Sequence, residues 1–210
     1  MKITIIGAGG KIGQRITKEA TLRKHNLKLI SSKDNSFFEL NDANIQNGNI
    51  FDTEKLTEII NGSDVVISAY APPHDNTDLI IDASKSLVEA AKRANVRLIT
   101  VGGAGSLKVN EDLVLVATPT FPTEHKAIAI SHKKALENVY QKESELNWTN
   151  VSPSAYIFEG ERTNKFRVGD DYLLVNEKGE SSISMEDFAV GILNEVENYD
   201  FPKQRFTIGY

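Results

Sequence analysis

Residues 4–13 read TIIGAGGKIG, four glycines in ten positions directly behind an apolar run. Gly7, Gly10 and Gly13 stand at G-x-x-G-x-x-G spacing between a strand expected over 2–6 and a helix expected to begin near Lys11. A dinucleotide site at such a junction needs a tight turn, a main chain without Cβ where a pyrophosphate approaches, and a helix packed closely on its strand. The helix N-terminus then offers free N–H groups and the positive end of its dipole to the phosphates. The bland alternative, a tight strand-to-helix turn and nothing more, asks for the same glycines, so the surroundings decide.

Working outward, short runs rich in Ile and Val alternate with longer stretches at helical spacing. Strands are expected at about 2–6, 27–31, 45–50, 64–69, 97–101, 147–151 and 204–208, with helices at about 11–24, 53–61, 76–94, 122–142 and 185–198. Leu79, Ile80, Ala83, Leu87, Ala90, Ala91 and Ala94 fall on one stripe, as a helix packed on a sheet requires. DVVISA and RLITV are nearly continuous apolar runs, the signature of parallel strands covered on both faces. The fold class is therefore α/β, a Rossmann-like doubly wound parallel sheet. Residues 152–183 break the alternation with glycine, charge and short pieces, and are expected to form a substrate-side insertion with a hairpin around Glu177–Gly179.

Length and composition bound the possibilities. The 210 residues suit a single domain spanning 1–210. With no cysteine there is no thiol nucleophile, thiolate metal site or disulfide, so redox chemistry needs a borrowed cofactor. The net charge of −5, with basic residues scattered among acidic ones, gives no track for nucleic acid. The apolar run after Met1-Lys2 is too short for a membrane span or a secretory core, which makes a cytoplasmic protein with a small-molecule substrate the expectation and leaves oligomeric state open. No metal site is expected, because His125 and His132, seven apart on one helix, are separated by roughly 10 Å of rise.

At the end of the second strand the chain reads KLISSKD. An acidic residue there pairs with the ribose hydroxyls of NAD, whereas basic or hydroxyl residues suit the 2′-phosphate of NADP. Ser32 and Lys33 favour NADP; Asp34 on the ribose is the alternative. The turn also departs from G-x-G-x-x-G, which, read through Gly7 and Gly9, would need Gly or Ala where Ile12 stands. The three-and-three spacing resembles that of short-chain dehydrogenase/reductase relatives.

Four stretches carry a closer resemblance: GAGGKIG (7–13), VGGAGSL (101–107), VSPSAYIFEGERTNKFRVGDDYLLV (151–175), and a tail with SISMEDFAVGILNEVEN and RFTIGY. Together they resemble the NADH-flavin reductase-like group of atypical short-chain dehydrogenases, relatives of biliverdin IXβ reductase/flavin reductase and of NmrA-like proteins. The resemblance implies that Gly7, Gly9, Gly10, Lys11, Ile12 and Gly13 line the pyrophosphate. It sets Asn49 and Ile50 by the adenine, Ala69 and Tyr70 under the middle of the cofactor, and Gly102, Gly103, Ala104 and Pro153 beside the nicotinamide. Many relatives carry Arg where Ser32 aligns and Asp where Asn49 aligns.

The usual short-chain dehydrogenase uses a Tyr-x-x-x-Lys pair on a helix, the lysine lowering the tyrosine pKa. Tyr199 and Lys203 have that spacing, but Pro202 interrupts the helical turn it needs. A flavin takes a hydride at N5 by stacking on the nicotinamide, and its second proton can come from water, so a free flavin or similar planar acceptor fits a site lacking that pair. Tyr70, Phe121, Tyr156 and Phe158 are candidates for the stacking surface, with Phe121 and Phe158 equally readable as core. Trp148 reads as core. His125 is either a proton donor or a surface residue, His74 a loop residue near the cleft. Ser106 either donates to the reacting group or caps its turn. Glu161 and Arg162 either shape a lid or pair with each other. Two rival readings share these features: a non-enzymatic NmrA-like sensor of NAD(P), and an epimerase or dehydratase.

Overall fold

The computed structural model describes residues 1–31 and 44–210. Ser32 and Lys33, expected at a 2′-phosphate, and Asp34 lie outside the described residues. The chain opens with β1 (Lys2–Ile6), α1 (Lys11–Leu22), β2 (Asn26–Ile30) and β3 (Asn44–Gln46). It continues through α2 (Thr53–Ile60), β4 (Val65–Ser68), α3 (Leu79–Ala94), β5 (Arg97–Val101), α4 (Thr123–Ala135) and β6 (Trp148–Pro153). Short strands β7 (Tyr156–Phe158), β8 (Arg167–Gly169) and β9 (Ser182–Ser184) precede α5 (Met185–Asn198) and β10 (Gln204–Gly209).

Eight strands form one sheet in the order β3-β2-β1-β4-β5-β6-β10-β8, parallel throughout except for β8. The chain winds outward from β1 in one direction, then returns to lay β4 on its other side. This places the topological switch point, where ligands bind in such sheets, between the C-terminal ends of β1 and β4. Side chains alternate across the sheet as the strand period requires. Ile3 and Ile5 join Ile67, Ile99, Phe188 and Phe206 on the face covered by α1 and α5. Ile6 joins Val66, Leu87, Leu98 and Trp148 on the face covered by α2, α3 and α4. Trp148 is buried as expected, its indole N–H donating to the Glu143 carbonyl at 3.1 Å.

Some boundaries differ from the sequence expectation for identifiable reasons. The third strand stops at Gln46 instead of 50, because Gly48, Asn49 and Asp52 turn the chain into α2. The Asn49 side chain accepts from Phe51 N at 3.0 Å, and Asp52 caps the helix by accepting from Lys55 N at 3.0 Å. α3 begins at Leu79, since Asn76 is spent on a turn back to Pro73 O at 3.2 Å. α4 ends at Ala135 and gives way to a wider turn over Leu136–Tyr140. That turn seats Tyr140 in the core, where its hydroxyl donates to Ser84 Oγ at 2.9 Å.

The expected hairpin around Glu177–Gly179 is corrected. The turn exists, closed by Asn176 N to Glu180 O at 2.9 Å with Gly179 at φ +77°. Its arms do not pair with each other, however. β8 adds to β10, Leu173 bonds to Lys108, and β9 pairs in parallel with β7. Among the described residues no helix is long and apolar enough to cross a membrane.

Candidate functional site

The glycine turn occupies the switch point. Gly7 takes φ +77°, and a Cβ there would stand 2.7 Å from the carbonyl oxygen of Ala69 at the end of β4. Gly7 and Ala8 both donate to Ile30 O, at 2.9 and 3.2 Å, tying the turn to β2 as well. Gly10 N closes the turn on Gly7 O at 3.0 Å, and a Cβ on Gly13 would come within 2.1 Å of that same oxygen. Gly9 holds the Gln14 amide through its carbonyl at 3.0 Å. Ile12 packs into the core beneath α1.

The N-terminus of α1 is built to be left open. Gly10 at the cap has no side chain to offer, and no acidic residue stands in the first turn. By contrast α5 is capped by Ser184 Oγ, which accepts from Asp187 N at 3.0 Å. Among the described residues the first N–H groups of α1 therefore have neither an intrahelical nor a side-chain acceptor, which suits an anion at a dipole's positive end. This turn fits a dinucleotide's pyrophosphate on geometry alone.

Around it lie the ends of the other central strands. Ala69 and Tyr70 follow β4, half-buried, with the Tyr70 ring edge-on to Phe51 at 5.9 Å; burial raises the tyrosine pKa and keeps the phenol neutral. Asn49 is exposed, while the Ile50 side chain is committed to the core. After β5, Gly102, Gly103 and Ala104 lead into a short tight turn ending at Ser106. Pro153 closes β6, buried beside Ile208 of β10. His74 is exposed in the loop after β4.

The three candidates for chemistry are held by separate contacts, and no hydrogen bond or ion pair among the described residues joins them. Ser106 Oγ accepts from the buried Arg205 at 3.3 Å, a guanidinium anchored at Asp171 with Nε–Oδ1 of 2.8 Å. His125 is exposed in the first turn of α4. Tyr156 is 65% exposed in β7, its ring stacked on Phe158 at 5.5 Å and 14° between planes. Tyr199 and Lys203 lie in the turn between α5 and β10, at the opposite edge of the sheet, where Lys203 Nζ donates to Ser144 O at 2.5 Å.

The sequence singles out His132 only as too far from His125 to share a metal, and gives it no place beside the site. It lies on the inner side of α4, where a Cβ on Gly103 would meet its own Cβ at 3.0 Å. Desolvation of its ring pushes its pKa down to about 4, so the imidazole is neutral at pH 7. The spacing Ala129, His132, Leu136 was the available signal: it sets His132 on the apolar stripe of the helix.

The GERT block is not held by a pair between Glu161 and Arg162. Arg162 pairs not with Glu161 but bidentately with Glu19 of α1, at 2.7 and 2.9 Å. Those bonds, led by Arg162 and joined by Arg23, hold the buried Glu19 carboxyl below its ordinary pKa. Thr163 N and Asn164 N both donate to Asp187 Oδ1 at 2.8 Å, and Ser184 Oγ donates to Glu161 O at 2.9 Å. Residues 159–164 are thus a strap across α1 and α5. No group of three or more His, Asp or Glu side chains among the described residues is arranged to hold a metal.

A parallel sheet with a glycine turn at its switch point and an open helix N-terminus behind that turn defines a dinucleotide-binding α/β protein. The profile of the NAD(P)H-binding family matches residues 7–198, and the chain belongs to that family. It is 37% identical to the uncharacterized protein YwnB of Bacillus subtilis (strain 168), over 99% of this chain and 98% of that one. Two solved structures each share 31% identity and cover all of this chain. One, from Bacteroides thetaiotaomicron and provisionally named an epimerase, superposes with a TM-score of 0.93 over 96% of its length. The other, from Streptococcus pneumoniae TIGR4 and provisionally named an NADH-flavin reductase, does so at 0.91 over 99%. The resemblance read from the sequence thus stands at the level of fold and nicotinamide-binding family.

Proposed function

We propose that this chain is an NAD(P)H-dependent reductase, NADPH being the preferred donor, that delivers a hydride to a free flavin or a similar planar acceptor. The observation that carries the reading is the Tyr156–Phe158 stack: an aromatic surface three to five residues beyond the end of β6, with Tyr156 exposed, on the strand edge that carries the glycine turn. A flat ring can lie on such a surface, and ring stacking contributes about 0.5–1.5 kcal/mol beyond simple burial. The bound cofactor supplies the hydride. The protein's own part is to hold the pyrophosphate on the α1 N-terminus, to orient the acceptor, and to leave the single proton that balances the reduction to water. The Tyr199–Lys203 pair at the far edge supports the same reading, since an alcohol substrate would need a phenol at the reacting atoms.

The test is the initial rate of NADPH and of NADH oxidation with FMN for the wild type and for Tyr156→Ala. Saturable turnover is expected, with the FMN KM of the variant raised roughly three- to tenfold and its NADPH dissociation constant unchanged. Cofactor binding without oxidation above background would overturn the reading and leave a sensor of NAD(P). Stereospecific turnover of a nucleotide-sugar without flavin reduction would make it an epimerase.

A further inference from the structure

The strap begins with an ion pair that none of the functional readings above uses. Glu159 Oε1 lies 2.8 Å from Lys11 Nζ, and its Oε2 lies 3.3 Å from Arg15. Lys11 is the first residue of α1, and Arg15 stands one turn further along the same side. The contact with Lys11, and then the field of Arg15, hold the Glu159 carboxyl below its ordinary pKa, so it is ionised at neutral pH. Arg15 is also engaged by Glu186 at 3.0 Å, whereas Lys11 has Glu159 as its only carboxylate partner among the described residues and is 72% exposed. Glu159 itself follows Phe158 of the aromatic stack directly.

A dinucleotide brings its phosphates to the N-terminus of the helix that Lys11 begins. A carboxylate and a phosphate are both anions that an ammonium group binds as a point charge. Only one of them can hold Lys11 closely. We infer that Glu159 is an internal competitor for the cofactor's phosphates: it holds Lys11 in the free protein and gives it up when the dinucleotide binds. Affinity for the cofactor is thereby set below what the glycine turn and an unpaired Lys11 would give together. The inference rests on the nicotinamide site described above, not on flavin as the acceptor.

Cofactor fluorescence titration tests it with NADPH at fixed low ionic strength, without an acceptor. Glu159→Gln is expected to bind NADPH roughly three- to tenfold more tightly than wild type, and Glu159→Asp to return toward the wild-type value. In a Lys11→Gln background, Glu159→Gln is expected to change nothing. Weaker or unchanged binding by Glu159→Gln overturns the inference, since a merely structural ion pair would weaken the site when lost. Equal tightening in both backgrounds overturns it too, as diffuse repulsion not routed through Lys11. A wild-type chain that binds neither NADPH nor NADH would sink the site itself, an outcome distinct from both.

Discussion

The chain has two glycine-rich loops at the C-terminal edge of its sheet, alike in sequence and unlike in cause. In the first, Gly7 and Gly13 face main-chain atoms, the Ala69 carbonyl oxygen at 2.7 Å and the Gly7 carbonyl oxygen at 2.1 Å. In the second, Gly102, Gly103 and Gly105 face side chains: Asn150 Oδ1 at 2.3 Å, His132 Cβ at 3.0 Å and Ala129 Cβ at 2.8 Å. The first loop brings backbones together and leaves its helix end open. The second is a packing seam that lets α4 close on the loop after β5. A glycine motif read from sequence does not distinguish these, because both demand the absence of a Cβ.

The comparison predicts unequal consequences. Gly13→Ala drives a methyl into a carbonyl fixed by its own turn, so a loss of about 3 kcal/mol or more is expected in urea denaturation, with no neighbouring side-chain substitution restoring it. A loss below about 1 kcal/mol would erase the distinction between the loops.

The second loop's neighbour titrates, which gives the next effect. The folded pKa of His132, about 4, lies below its unfolded value of 6.5, so the unfolded chain binds the proton first as pH falls. Its contribution is fully present above pH 6.5 and is lost as pH drops toward 4, at most about 3 kcal/mol. The stability difference between wild type and His132→Gln, followed across that window, should therefore shrink toward acid. A difference independent of pH would show the ring to be solvated.

The smallest effect is expected at Gly102→Ala, about 2 kcal/mol, because Asn150 is a side chain that can be changed. Adding Asn150→Ser should recover at least about 1 kcal/mol as a coupling term in a double-mutant cycle. Additive losses would put Gly102 in the class of Gly13.

Much of the fold was legible because its signals are local. The alternation of apolar runs located the strands and helices, and the glycine turn behind Ile6 located the switch point. What was not legible depends on partners far apart in the chain. Arg162 looks like a surface lid residue until Glu19, 143 positions earlier, is set against it. Arg205 sits in an ordinary alternating strand, and only the fold buries it against Asp171, Ser106 and Ser152. Ile50, which the resemblance set beside the adenine, has the same aliphatic character in either role, and only its neighbours reveal that the side chain packs in the core. His132 was readable from its helical stripe, since Ala129 and Leu136 share its face of the expected helix.

The strap also has a bearing on how the protein is made. Glu19 belongs to the first helix, yet the guanidinium that engages both its oxygens is 143 residues downstream. At about 5–20 residues per second of translation, on the order of ten seconds pass before Arg162 leaves the ribosome. Of the two arginines that pair with Glu19 among the described residues, Arg23, one turn away, is the one made before that interval. In the folded chain the local Arg23 and the distant Arg162 neutralise that carboxylate together, so a helix formed early is paired in full only by residues made late.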